Sequence, residues 1–155
     1  MSQVEGDSRA LVVRVSNSLC ALPLSWVLEI MRPLRVDAVA GAPAFVLGLS
    51  VVRGQPTPVV HLARLLSGRE AGDITRFVAV RSGDRRLVFA VEGVHGVETL
   101  TTAALQNMPA LLEKSSPEAI AAIGTLDQQL FLVLRETRIL SEELEALLAG
   151  SEGAP

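Results

Sequence analysis

The sequence predicts an all-β protein built from two similar, small closed sheets. Three observations predict it. Apolar residues come in short β-branched runs such as ALVVRV, FVAVR and LFLVL, separated by turn clusters. Helix signals are confined to a few brief stretches. The chain also repeats itself. At a shift of 67 residues Leu11 meets Val78, Val13 meets Val80, Arg14 meets Arg81, Cys20 meets Leu87, Leu22 meets Phe89, Leu24 meets Val91, Val27 meets Val94 and Ile30 meets Val97. At a shift of 74, Val59 meets Val133, Val60 meets Leu134, Arg64 meets Arg138, Leu65 meets Ile139 and Leu66 meets Leu140. The shift changes within a connector, where insertions are tolerated. An internal duplication follows. Closure removes the edges that two small sheets would otherwise expose, and neither half buries enough surface to be safely stable alone. The two units are therefore expected to pack on each other.

Residues 1–8 are polar and expected to be disordered. ALVVRV and LCALPL, joined by the turn cluster SNS, read as a hairpin. AFVLGLSVV reads as a candidate strand pair, RGQPTP as a turn and VVHL as the next strand. ARLLSG makes a helical turn or two ending at Gly68. After the polar connector REAGDIT the pattern restarts with FVAVR, the turn SGDR, and RLVFAVEGV. Residues 101–122 read as short helical pieces. Ser116-Pro117-Glu118 is a helix start, with a side-chain cap, a proline that needs no donor and an acid at the positive end. IGTL, the turn DQQ and LFLVL follow. SEELEALLAG, with Ser141 as cap and Gly150 as stop, reads as a short amphipathic helix.

At 155 residues and 49% hydrophobic content, the chain suffices for one compact domain or two very small ones. Aromatics are scarce, with four Phe, one Trp and no Tyr, so the core must be aliphatic. The formal charge is −3, and Glu142, Glu143, Glu145 and Glu152 follow the last base, Arg138. Without those four the body carries 13 acidic against 14 basic residues. That near-neutral body, with few stacking partners, argues against nucleic-acid binding. No secretory signal is visible at MSQVEGDS. The uncharged run at 38–52 is too short and too interrupted for a membrane span, so no direct membrane insertion is expected. A cytoplasmic protein is the default.

Chemistry is sought and mostly not found. One cysteine, Cys20, excludes an intrachain disulfide and a CxxC pair; in LCALPL it reads as a buried, inert thiol. His61 and His95 have no cysteine near either, so neither points to a metal site. His61 reads as a surface or boundary residue, and His95, in VEGVHGV, as a turn residue. GLSVV lacks the second glycine of a nucleophile elbow, and phosphate-cradling glycine loops are absent. Asp73, Glu92 and Asp127 are dispersed over connectors and turns, with nothing pairing them for acid–base work. Trp26 is expected to pack against the body. No enzyme and no cofactor are expected.

Four stretches stand in a particular order. A first hairpin leads into PLSWVLEI; PAFVLGLSVVRGQPTPVVHL follows; then LVFAVEGVHGV; then a last strand running into a short helix. This series resembles the CheW-like domain of bacterial chemosensory systems, over about residues 9 to 148. The resemblance implies two five-stranded, SH3-like β barrels packed side by side. The first would span about 9–68 and the second about 74–140, with a helix at about 142–149 and a flexible tail at 150–155. It also implies a non-enzymatic adaptor in the cytoplasm. Such adaptors link the cytoplasmic tips of methyl-accepting chemoreceptors to a CheA-type histidine kinase. The receptor hairpin would lie in an apolar groove between the barrels, and the kinase's homologous domain would pack end to end with the adaptor.

By position, the resemblance assigns protein binding to Val27 and Glu29 in the V.EI element, Arg53 and Gly54 at the RG turn, and Val94 and Val97 in the second unit. The valines would bury area and Arg53 would fix register through charged hydrogen bonds. The alternatives are ordinary core for each valine and a structural pairing with a carboxylate or carbonyls for Arg53. The chain departs from the pattern at Ser50-Val51, at Pro56 and Thr57, and at His61, Glu92 and Arg135, where aspartates are common. Pro56 removes a donor from its hairpin. Two alternatives therefore stand: a divergent adaptor that binds receptor or another partner but no longer couples to the kinase, and a small ligand-binding or hydrolytic barrel.

Overall fold

The runs read from the sequence become strands. The computed structural model describes residues 7–16, 18–67, 72–82, 84–101, 105–106, 120–126 and 129–134. Strands β1 (Asp7–Val15) and β2 (Ser18–Pro23) form a hairpin, and a 3-10 turn over Leu24–Trp26 leads into β3 (Val27–Met31). A second hairpin, β4 (Val46–Val52) and β5 (Gln55–His61), runs into the short helix α1 (Leu62–Ser67). Beyond the connector lie the hairpin β6 (Arg76–Ser82) and β7 (Arg85–Val91), then β8 (Gly93–Thr101) and β9 (Leu105–Gln106). The hairpin β10 (Ile120–Leu126) and β11 (Gln129–Leu134) is the last among the described residues.

Three expectations are corrected. RGQPTP, expected as a turn, bends only at Arg53 and Gly54, and β5 already runs from Gln55. The prolines are tolerated for a geometric reason. Val52 and Gln55 close a two-residue hairpin loop as a hydrogen-bonded pair, so the alternating ladder makes Val51↔Pro56 and Leu49↔Pro58 non-bonded pairs. The donor missing at Pro56 therefore points away from β4. His95, expected in a turn, lies within β8. Of 101–122, expected as helical pieces, the described part is strand: the end of β8, β9 and the start of β10. The helix start at Ser116–Glu118, Gly68, the C-terminal helix at about 142–149, the tail and residues 1–6 lie outside the described residues.

The strands form two sheets. One has the order β3-β6-β7-β5-β4 and the other β8-β1-β2-β11-β10-β9. The expected division at about 9–68 and 74–140 is not how the strands pair. One sheet collects the strands lying between residues 27 and 91, and the other collects β1 and β2 with β8, β9, β10 and β11. Each half of the chain inserts its first hairpin into the sheet of the other half. β2 lies parallel to β11, and β7 lies parallel to β5. A sequence repeat is satisfied equally whichever sheet receives each hairpin, so periodicity alone does not choose between them. The two-residue β9 makes the second sheet six-stranded rather than five-stranded.

The duplication holds in register. Leu11 pairs with Val97 in one sheet, and their counterparts 67 residues away, Val78 and Ile30, pair in the other. Val133 pairs with Ala21, and the counterparts Val59 and Val88 pair likewise. Even the irregularities correspond. A bulge falls between Val27 and Glu29 against β6, and another between Val94 and Gly96 against β1.

The two sheets share one core. Leu11, Val13, Cys20 and Leu22 from one sheet meet Val60, Val78, Val80, Leu87 and Phe89 from the other, with Leu62, Ala63 and Leu66 of α1. Trp26 packs against this core, as expected. A second cluster, Val52, Val59, Phe77, Ala79, Val88 and Ala90, fills the opposite face of the 27–91 sheet. Strands β6 and β7 thus bury both faces, which is why FVAV and LVFAV are apolar without alternation. Cys20 is fully buried, and desolvation pushes its thiol pKa far up, leaving it inert.

Candidate functional site

The turn between β4 and β5 demands two left-handed residues. Arg53 has φ 53° and Gly54 has φ 79°. Glycine meets that demand freely; an arginine does so against its own sterics. A Cβ on Gly54 would meet nothing within 4 Å, so Gly54 is there for conformation and not for space. Arg53 has a compensating partner. Its Nε donates to Glu29 Oε2 at 3.0 Å and its Nη2 to Glu29 Oε1 at 2.9 Å. The fork-to-fork geometry holds the Glu29 carboxyl below its usual pKa, chiefly through the hydrogen bond from Arg53.

Two of the sequence-predicted residues are therefore in direct contact, although 24 positions separate them. Glu29 stands on β3 and Arg53 directly follows β4, the two outermost strands of their sheet. The pair spans the seam where that sheet curls to meet itself. A second tie crosses the same seam: Asp37 and Leu49 exchange backbone hydrogen bonds of 2.8 and 2.9 Å. Gly48 makes that approach feasible, because a Cβ there would land on the Asp37 carbonyl.

The valines lie elsewhere, along the junction of the two sheets. Val27 pairs with Val80 and Val94 with Val13, and both are half-buried against the shared core. Val97 pairs with Leu11 on the same face but remains 46% exposed. Its counterpart Ile30 pairs with Val78 and is 44% exposed. Four apolar side chains, two from each of two equivalent strands, thus border the shared core and partly face outward. Ile30 is missing from the sequence-derived set, although the 67-residue shift already matched it to Val97. Leu28, at the bulge in β3, and Leu34 are further exposed apolar residues that the motifs did not single out.

The departures from the family pattern are mostly internal. His61 is buried, not on a surface or boundary as expected; its Nδ1 accepts a hydrogen bond from the Arg64 amide at 3.3 Å. It thereby caps α1, the service an aspartate performs at a helix start. Ser50 is buried and donates to the Arg35 carbonyl at 2.6 Å. Thr57 is buried and donates to the Gln55 carbonyl at 2.9 Å. The Glu92 carboxylate accepts from the Ser16 amide at 2.6 Å, and its carbonyl accepts from the Thr75 hydroxyl at 2.7 Å. Pro56 and Val51 are the exposed exceptions. Arg135 lies outside the described residues. Among the described residues, no group of His, Cys, Asp and Glu could hold a metal ion. No described helix is long and apolar enough to cross a membrane.

The model of the CheW-like domain matches residues 9–144. The probable chemotaxis protein CheW of Rhizobium etli is 25% identical over 150 residues, covering 96% of this chain and 92% of that protein. The chemotaxis protein CheW of Klebsiella aerogenes is 24% identical, covering 89% of this chain and 84% of its own length. The crystal structure of the scaffolding protein TtCheW from Thermoanaerobacter tengcongensis has the same fold. It superposes with a TM-score of 0.75 at 17% identity, covering 86% of this chain and 92% of that one. A two-sheet β architecture, an in-register duplication and a family match over most of the length converge: the chain belongs to the CheW-like domain family.

Proposed function

We propose that the protein is a non-enzymatic cytoplasmic adaptor that couples the cytoplasmic tips of methyl-accepting chemoreceptors to a CheA-type histidine kinase. The observation that carries this reading is the apolar border formed by Val27, Ile30, Val94 and Val97. Two half-exposed aliphatic residues flank the shared core on equivalent strands. Such a strip gains by covering: full burial of a Val or Ile side chain is worth roughly 1.5–3 kcal/mol, and about half of that is still available at Ile30 and Val97. An amphipathic helical hairpin presents the matching apolar stripe. Glu29 and Arg53 would hold the rim of the 27–91 sheet in shape beside that strip.

Ser50, Thr57, His61 and Glu92 make internal hydrogen bonds, so these departures leave the outer surface little changed. That favours retained kinase coupling over an adaptor that has lost it. The test is a pull-down with the cytoplasmic region of a receptor from the same genome and with the kinase, separately and together. Recovery of both in one complex is the expected result. Recovery of the receptor alone would leave the divergent adaptor, and recovery of neither would overturn the reading.

A further inference from the structure

Arg81 and Arg86 face each other directly across the β6–β7 ladder. Like charges in directly opposed positions destabilise a sheet. Both side chains are exposed, so solvent screens the repulsion without removing it. The pleat puts them on the same face as Ala79 and Val88, which belong to the inner cluster of the 27–91 sheet. They therefore stand at the open end of that curl, one step beyond its apolar filling.

The same end holds the Arg53–Glu29 pair. Glu29 is opposite Ala79 on β3, and Arg53 sits at the loop leading into β5, which runs parallel to β7. Arg86 is close enough to add to the field that stabilises the Glu29 carboxylate. Among the described residues, three arginines thus share this end with one glutamate, and that glutamate is already engaged by two hydrogen bonds. Asp84 on the adjoining turn and Arg85 at the start of β7 offset each other in charge. The rim keeps a surplus of two positive charges.

The duplication supplies an internal control. At a shift of 67 residues, Arg81 corresponds to Arg14 and Arg86 to Leu19, and Leu19 is buried. The other sheet solves the same position with an ordinary Arg14↔Leu19 pair. The fold does not require two arginines here.

We propose that this end of the 27–91 sheet, presenting Arg81 and Arg86 beside the Arg53–Glu29 pair, is a docking surface for an acidic segment of a partner protein. Carboxylates from such a segment would relieve the Arg81–Arg86 repulsion and accept forked hydrogen bonds from guanidinium groups. The surface is separate from the apolar border between the sheets, and the inference does not depend on the receptor reading.

The experiment uses the full chain and a labelled Glu-Ala repeat peptide, with a Gln-Ala repeat as control. The Glu peptide is expected to bind, with affinity falling as salt rises. The double variant Arg81→Gln, Arg86→Gln should weaken it about tenfold or more, whereas Arg14→Gln should leave it unchanged. Thermal melting separates binding from structure. Removing the repulsion should leave the midpoint of the double variant unchanged or raised. The proposal is overturned if the Glu peptide fails to bind, if the double variant binds it as well as the parent does, or if the double variant melts lower. Equal affinity for a short DNA duplex would also overturn it, by making the rim a general anion surface.

Discussion

Glu29 lies on one outermost strand of its sheet and Arg53 in the turn that follows the other, yet their side chains are joined by two hydrogen bonds of 3.0 and 2.9 Å. The pair therefore reports on closure of the sheet. It also secures a turn in which Arg53 adopts a left-handed backbone that its side chain disfavours. Arg53→Glu would set two carboxylates against each other at the seam. It should lower the denaturation midpoint, whereas the exchange Glu29→Arg with Arg53→Glu should recover part of the loss. A double-mutant cycle from urea melts checks this. If the exchanged protein is no more stable than Arg53→Glu alone, the pair is not the closing contact.

The same pair has a pH signature. Arg53 lowers the Glu29 pKa below its ordinary value of 4.5. A carboxyl whose folded-state pKa is depressed stabilises the fold above its unfolded pKa. That contribution is lost as pH falls through the folded value. The stability gap between the parent and Glu29→Gln should thus be full at neutral pH and close only in acid below the usual glutamate range. Urea midpoints measured across that range give the comparison, and a gap independent of pH would contradict it.

Gly48 and Gly54 are both in left-handed backbone, with φ 143° and 79°, but for different reasons. A Cβ at Gly48 would collide with the Asp37 carbonyl and with Ala38 Cα, whereas one at Gly54 would meet nothing. Gly48→Ala should therefore combine backbone strain with a steric clash at the seam, about 3 kcal/mol, or a Tm drop of roughly 10 °C. Gly54→Ala carries the backbone term alone, about 1 kcal/mol. Calorimetry on the two variants should rank them in that order.

Much of this was legible in the chain. Period-two runs, turn clusters and the repeat at 67 and 74 residues located the hairpins, and the observed pairings obey the same shifts. The exchange of hairpins between sheets was not legible, because a repeat looks the same to either sheet. The Glu29–Arg53 contact was foreshadowed only as a possible carboxylate pairing, since closure of a curled sheet brings together residues that no local pattern links. His61 was misread for a related reason. Its neighbours Val60 and Leu62 suggested a strand end near solvent, but burial there is decided by α1 folding back over the core. Ile30 shows the reverse case, a residue whose role the repeat already implied through Val97.

The cap formed by His61 gives its own expectation. Its Nδ1 must act as an acceptor for the Arg64 amide, so the proton of the neutral ring sits on Nε2. His61→Ala removes the acceptor and leaves a void in a buried position. The expected loss is about 2 kcal/mol, combining a lost cap with lost packing. His61→Asn restores an acceptor at the helix start and should recover a measurable part of that loss. Matched melting curves for the three proteins decide whether capping or volume matters more.

The apolar border can be tested without disturbing the fold. Ile30 and Val97 are 44% and 46% exposed, so replacing either with Asp should shift stability by no more than about 1 kcal/mol. The same changes place a charge where a partner's apolar stripe would have to be desolvated. Each single variant should weaken capture of a receptor cytoplasmic fragment about tenfold, and the double variant should abolish it. Val51→Asp is the control. Val51 is 66% exposed but lies on β4, the outer strand of its sheet, away from the junction. It should leave receptor capture intact. If Val51→Asp weakens capture as much as Ile30→Asp does, the receptor is not reading the border between the sheets.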